Sequence, residues 1–215
     1  MVPELAGAAA AELVDLDAAL AAATAELPDR WLAIGVGATD GIIPPSAVGT
    51  FAGYGSDVRV ALSGEGGGTP EELPLCALIA GWLRGHIAPK TRCEVRVYDG
   101  GQDAEAAVTA GRRLRAEIDE ADEAVGVLVV ADGLNTLTQP APGGYDRDSI
   151  PHQQALDDAL AAGDAAALGR LPAGAVGRVA FQVLAGLTEP APRAATELYR
   201  GAPYGVGYFV GVWHV

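Results

Sequence analysis

Three short apolar runs, separated by stretches of helical periodicity, constrain this chain more than any other feature. They are Trp31–Val36 (WLAIGV), Cys93–Tyr98 (CEVRVY) and Val125–Ala131 (VGVLVVA), and each gives way to glycine or to Asp-Gly. All are strand length. The second alternates apolar and polar, as a half-buried strand does. The third is almost wholly apolar, which predicts a central strand buried on both faces. Between them, Leu73–Leu83 has the composition of an apolar helix and Asp103–Ile118 that of an amphipathic one. Strands alternating with helices imply an α/β fold: a three-layer α/β/α sandwich with a mostly parallel central sheet.

The remaining segments extend this reading. From about Glu4 to Glu26 a stripe of Leu5, Leu13, Leu16, Leu20 and Leu27 predicts a helix, which Pro28 ends. Gly37–Gly55 is expected to be a long loop broken by Pro44 and Pro45, and Val58–Leu62 a further strand. Gly66–Gly68 is a flexible turn. After a polar loop from Asp132 to Arg147, helices are expected over Ser149–Ala162, Asp164–Gly169 and Ala173–Leu187. The run Tyr204–Trp213 (YGVGYFVGVW) has two readings. The favoured one is a helix packed tightly on the sheet. The other is a strand with Gly205, Gly207, Phe209, Gly211 and Trp213 on one face, where missing side chains let a backbone or ligand approach. No internal repeat and no dividing linker is present, so residues 1–215 are expected to form one domain.

Half of the 215 residues are apolar, enough for a sizeable core, and the formal net charge is -14. Such a chain is repelled by phosphate backbones and anionic lipid, so neither nucleic acid nor a membrane surface is an expected partner. The densest basic group, Arg112, Arg113 and Arg115, is followed at once by Glu117, Asp119, Glu120, Asp122 and Glu123, and is read as a solvated, charge-balanced helix face. No apolar run reaches membrane-spanning length and no basic-then-apolar leader opens the chain. The two cysteines, Cys76 and Cys93, fit neither a zinc ribbon nor a redox pair. The expected location is the cytoplasm.

Three aspartates follow the three predicted strands: Asp40, Asp99 and Asp132. In an open α/β sheet the ligand crevice lies beyond the strands' carboxyl ends, so these could line a pocket or hold a hard divalent cation. Each also belongs to an Asp-Gly turn dipeptide, and the turn reading carries more weight. Gly35-Val36-Gly37 lacks the third glycine of a dinucleotide fingerprint, Asp40 standing in its place, and neither a phosphate-loop lysine nor a nucleophile elbow is found. His86, His152 and His214 have no second histidine or carboxylate at ligand spacing, so no complete transition-metal site is expected. The most site-like segment is Asp132-Gly133-Leu134-Asn135-Thr136-Leu137-Thr138 with Ala141-Pro142-Gly143-Gly144-Tyr145-Asp146. It supplies Asp132, Asn135 and Thr136 as candidate catalytic residues, joined by His152, which opens the next helix. Tyr145 and Tyr204 join Asp40 and Asp99 as candidate pocket residues.

Several blocks together carry a resemblance: VPELAGAAAAEL at the start, GTFAGYG at Gly49–Gly55, ELPLCALIAGWLRG at Glu72–Gly85, ADGLNTLTQPAPGGYD at Ala131–Asp146 and APYGVGYFVGVW at Ala202–Trp213. The chain resembles the actinobacterial LigB-like proteins of the class III extradiol ring-cleavage dioxygenase family, relatives of the catalytic subunit (LigB) of protocatechuate 4,5-dioxygenase. The resemblance implies homo-oligomers, a small aromatic ligand and, where activity is kept, Fe(II) held by two histidines and a glutamate. It also points to where this chain departs from the pattern. The first ligand belongs to a proline-histidine motif preceding the segment that starts here at Val2. The second follows an early strand, and Gly35–Gly41 holds no histidine. The acid/base histidine follows Gly-Leu-Ser, whereas here Gly133-Leu134-Asn135 leads to Thr136. Glu197 is the loosely placed counterpart of the glutamate. The expectation is therefore a homologue without ring cleavage, acting as a pocket or interaction protein, with no resident cofactor. The alternatives are a true dioxygenase that completes its Fe(II) site from an N-terminal extension or a partner, and a hydrolase-type enzyme using Asp40, Asp99 and Asp132 around a hard metal.

Overall fold

The computed structural model describes residues 13–172 and 174–215. The expected first helix before Leu13, and Ala173 at the expected start of a later one, lie outside them. The chain divides into two compact units, the first comprising Met1–Gly100 with Ala121–Val130, the second Gly101–Glu120 with Ala131–Val215. No Pro-, Gly- or Ser-rich linker marks these crossings, so composition alone carries no boundary.

Among the described residues the first unit contains α1 (Val14–Ala25), which buries Leu16 and Ala19 and stops short of Pro28. Its main sheet holds β1 (Arg30–Gly37), β2 (Gly41–Ile43), β5 (Arg92–Asp99) and β6 (Gly126–Val129) in the order β2-β5-β1-β6. β1 runs parallel to β5 from Arg30↔Arg92 to Gly37↔Asp99, and parallel to β6 from Trp31↔Gly126 to Ile34↔Val129. β2 is antiparallel to β5. The sheet is mixed and mostly parallel, and the fold is α/β. Along β5, Cys93, Val95 and Val97 are buried while Glu94, Arg96 and Tyr98 are half-buried, the alternation expected of this strand.

Two expectations for this unit are corrected. The Val125–Ala131 strand is not central. β6 lies at the sheet edge, and Val127, Leu128 and Val129 are only half-buried. An apolar run reports what its faces meet, not its place in the hydrogen-bonding order; the central strand buried from Trp31 to Gly35 is β1. Gly37–Gly55 is not a plain loop either. It contains β2, β3 (Val48–Thr50) and a 3-10 turn over Phe51–Tyr54. Pro44 and Pro45 fall between the strands, where no ladder N–H is lost.

β3 pairs antiparallel with β4 (Arg59–Ala61). α2 (Leu75–Ile87) begins after Pro74 and packs Cys76, Leu78 and Trp82 into a core with Trp31, Phe51, Leu62 and Val95. Arg84 is buried and binds backbone instead of acid: its Nε donates to the Ala61 carbonyl at 2.9 Å and its Nη1 to the Pro89 carbonyl at 2.8 Å. Both cysteines are free and buried, and burial pushes their thiols up to about 11 for Cys76 and about 12 for Cys93. Neither is a thiolate at neutral pH.

The second unit contains α3 (Ala104–Asp119), α4 (Ser149–Ala162), α5 (Ala165–Leu168), α6 (Arg178–Thr188), β7 (Ala194–Gly201) and β8 (Tyr208–His214). Asp103 caps α3 by accepting from the Ala106 N–H at 2.8 Å. α3 and α6 meet backbone to backbone. A methyl group built on Gly111 would overlap the Val183 carbonyl oxygen, and one on Gly186 the Val108 carbonyl oxygen. The basic face of α3 is charge-balanced as expected: Arg112 pairs with Glu189 at 2.7 Å and Arg115 with Asp119 at 2.8 Å.

The C-terminal run is a strand rather than the favoured helix. β8 pairs antiparallel with β7, with an irregularity between Glu197 and Tyr199, while Pro203–Gly205 forms a 3-10 turn. On one face of β8, Phe209 and Trp213 pack against the apolar cluster of Leu134, Leu156 and Leu160, and the Trp213 Nε1–H donates to the Leu160 carbonyl at 2.8 Å. β-branched and aromatic residues between glycines suit this pleated surface better than a helix. Among the described residues, no helix is long and apolar enough to cross a membrane.

Candidate functional site

The loop after β6 is built into the second unit by backbone pairing. The Gly133 N–H donates to the Gly207 carbonyl at 3.2 Å, the Gly207 N–H to the Leu134 carbonyl at 2.9 Å and the Leu137 N–H to the Gly205 carbonyl at 3.1 Å. The segments therefore run antiparallel, which sets Asp132 beside Tyr208. On the other side, the Gly177 N–H donates to the Asp132 carbonyl at 2.8 Å.

Gln153, from α4, locks this junction. Its Oε1 accepts from the Leu134 N–H at 2.8 Å and its Nε2 donates to Asp157 Oδ1 at 2.8 Å. The amide lies so close that a methyl group on Gly133 or Gly207 would overlap it. Burial raises the Asp157 carboxyl above its ordinary range, with the Gln153 bond acting the other way. Further along, the Gly143 N–H donates to the Asn135 carbonyl at 3.0 Å and the Asp146 N–H to the Thr136 carbonyl at 2.9 Å. The Thr136 and Ser149 hydroxyls share a hydrogen bond of 2.6 Å, and Ser149 also donates to Asp146 Oδ2 at 3.3 Å.

Against this fixed frame two polar groups stand out. Asp132 is half-buried, and desolvation raises its carboxyl above the ordinary range with no cation to offset it. Burial pushes the Tyr208 hydroxyl up to about 12, helped by the charges of Asp132, Tyr204 and Tyr199. Among the described residues no protein hydrogen bond reaches the Asp132 carboxyl or the Tyr208 hydroxyl. Tyr199 lies over Gly201, the residue opposite Tyr208 in the β7–β8 ladder. Tyr204 is exposed and holds a left-handed backbone, φ 58° and ψ 18°, which is strained for an aromatic residue. Chemically, the group offers a carboxyl acceptor of low solvation and a phenol that stays protonated at neutral pH.

The other candidates are placed differently. Asn135 and Thr136 hold the loop together. His152 is exposed on the first turn of α4, and Tyr145 is exposed. Asp40 Oδ1 accepts from the Asp99 N–H at 2.7 Å, which is turn chemistry at the end of β5. Glu197 pairs with Arg200 at 2.6 Å, and Arg200 also pairs with Asp158 at 2.8 Å. His86 stacks on Trp82 with ring centroids 4.3 Å apart, and His214 ends β8 exposed. Among the described residues no three of His, Cys, Asp and Glu are grouped so as to hold a metal ion.

Sequence reading missed Tyr208, Tyr199 and the Gln153–Asp157 pair as site residues. The i,i+4 spacing of Gln153 and Asp157 is a legible signal for a helix-surface hydrogen bond. That Gln153 turns inward to a loop N–H is not.

No protein-family model matches the chain, and no curated protein matches it. Among solved structures it is similar to the uncharacterized protein JW3007 from Escherichia coli K12, at 9% sequence identity and a TM-score of 0.56, over 89% of this chain and 89% of that one. At that identity the likeness is one of fold alone.

Proposed function

We propose that this protein is a homologue of the class III extradiol dioxygenase catalytic subunits that keeps a small-molecule site and has lost ring cleavage. The observation that carries this reading is the environment of Thr136. It stands where the resemblance calls for an acid/base histidine, and its hydroxyl is held at 2.6 Å by Ser149, which is buried. A threonine so engaged has no proton-transfer role near neutral pH; it braces the loop that presents Asp132. The donor set points the same way. Fe(II) of this enzyme class needs imidazole and carboxylate together, and the loop offers a carboxyl, hydroxyls and an amide. These described residues do not fit the metal. What they fit is a small molecule bound beside Asp132, Tyr204 and Tyr208, with the family's small aromatic ligands the natural class.

The test is to load the protein with Fe(II) without oxygen, remove free metal, measure retained iron, and then supply protocatechuate or catechol in air. Sub-stoichiometric iron, no oxygen uptake and no absorbance from a ring-opened product are expected. One iron per chain together with turnover would overturn the proposal and favour a dioxygenase whose site is completed from elsewhere.

A further inference from the structure

Helix α6 starts without a cap. Gly177 stands before it, and no side chain accepts from its first turn. The Gly177 N–H donates to the Asp132 carbonyl at 2.8 Å and the Arg178 N–H to the Ala175 carbonyl at 3.1 Å. Among the described residues the next two donors, the Val179 and Ala180 N–H groups, meet no acceptor. Bulk water does not reach them, because Val179 is 1% exposed and Ala180 0%. A third donor is aimed at the same turn. Side chains lean toward the N-terminus of their helix, so Gln182 reaches back over Arg178, one turn earlier on the same face. Its Oε1 accepts from Arg178 Nη1 at 2.9 Å. Gln182 is 0% exposed, yet its Nε2 has no partner. Arg178 is anchored in turn, its Nη2 donating to the Gln102 carbonyl at 2.8 Å, and it is half-buried, so this end of the helix opens to solvent on its side.

Three buried donors therefore share the positive end of one helix. A cation is repelled there. A neutral carbonyl would take the hydrogen bonds but gain little from the helix dipole. The helix end carries about half a unit of positive charge. In a chain of net charge -14, a monoanion matches that better than a phosphate dianion does. A carboxylate also has two oxygens and acceptor sites for all three donors. We infer that the N-terminal end of α6 is the binding site for a small carboxylate. The Val179 and Ala180 N–H groups and the Gln182 Nε2–H donate to its oxygens, and Arg178 holds the Gln182 amide in place. This site does not require the ligand proposed beside Asp132.

Acetate, its neutral isostere acetamide and inorganic phosphate are each titrated into the full chain at neutral pH and constant ionic strength. Nuclear magnetic resonance follows the Val179 and Ala180 backbone amides and the Gln182 side-chain amide. Acetate is expected to move all three on one saturable curve, and to bind at least tenfold more tightly than acetamide or phosphate. Gln182→Leu, similar in volume, should weaken acetate about tenfold, as the loss of one hydrogen bond to a charged group does. Arg115→Gln, which removes an exposed cation of α3, should change nothing. A circular-dichroism melt checks that each variant is folded. No shift at these amides, or equal shifts with acetamide, would overturn the inference. Tightest binding of phosphate would overturn the choice of a carboxylate. An unchanged affinity in folded Gln182→Leu, or an equal loss in Arg115→Gln, would show that overall charge and not this helix end holds the anion. The three probes on the unmodified protein remain decisive even if a variant does not fold.

Discussion

At the scale of single residues, Asp132 and Gln153 pull in opposite directions. Asp132 is kept in a place where its charge is poorly solvated; Gln153 is kept because its amide satisfies a buried loop N–H. The Asp132 carboxyl is raised in the folded protein, so the native state holds its proton more tightly than the unfolded chain. Stability from this group is present below the ordinary carboxylate pKa and is lost as pH rises through the higher folded value. Asp132→Asn is therefore expected to raise the melting temperature at pH 7 and to have little effect near pH 3. A gap that is the same at both values would contradict the assigned desolvation. Gln153→Ala should act differently. It strands the Leu134 N–H and removes the donor to Asp157, at a cost of about 1–3 kcal/mol in urea unfolding. A neutral result would mean that the junction closes around another group.

At the scale of elements, the contact of α3 with α6 depends on two positions without side chains. Gly111 and Gly186 let the helix backbones touch, so a side chain at either position has to push the helices apart. Gly186→Val is expected to lose about 1–3 kcal/mol or more, by overpacking rather than by helix propensity. The midpoint of denaturant unfolding measures this, and an unchanged midpoint would show that the helices slide freely. The β7–β8 ribbon makes the complementary point. Phe209 and Trp213 stand on the face toward α4, and Trp213 adds a bond to the Leu160 carbonyl. Trp213→Phe keeps most of the apolar area but leaves that carbonyl without this donor, so a loss of about 1 kcal/mol is expected.

At the scale of the whole molecule, charge dominates. A net charge of -14 makes self-repulsion the main long-range term in every state of the chain. Added salt screens it over a Debye length of about 8–10 Å near physiological ionic strength. The melting temperature is therefore expected to rise between low salt and about 0.2 M sodium chloride. The protein should also pass unretained through immobilised DNA at low salt. Retention there would reveal a basic surface that the arginine pairings of α3 do not suggest.

Local chemistry, read from the sequence, was enough to determine most elements and the α/β class. The runs of β1 and β5, the helix Ser149–Ala162 and the Asp103 cap follow from periodicity and short-range hydrogen bonding, which neighbouring residues encode. The bracing loop at Asp132 was legible for the same reason, as a polar Pro- and Gly-rich segment leaving an apolar strand. Tertiary structure alone decided what depends on distant partners. It set β6 at the sheet edge, made a strand of the Tyr208 segment, and turned Gln153 toward Gly133 and Gly207. It also left the Asp132 carboxyl poorly solvated beside Tyr208, since desolvation is a property of the surrounding atoms and not of the residue that suffers it.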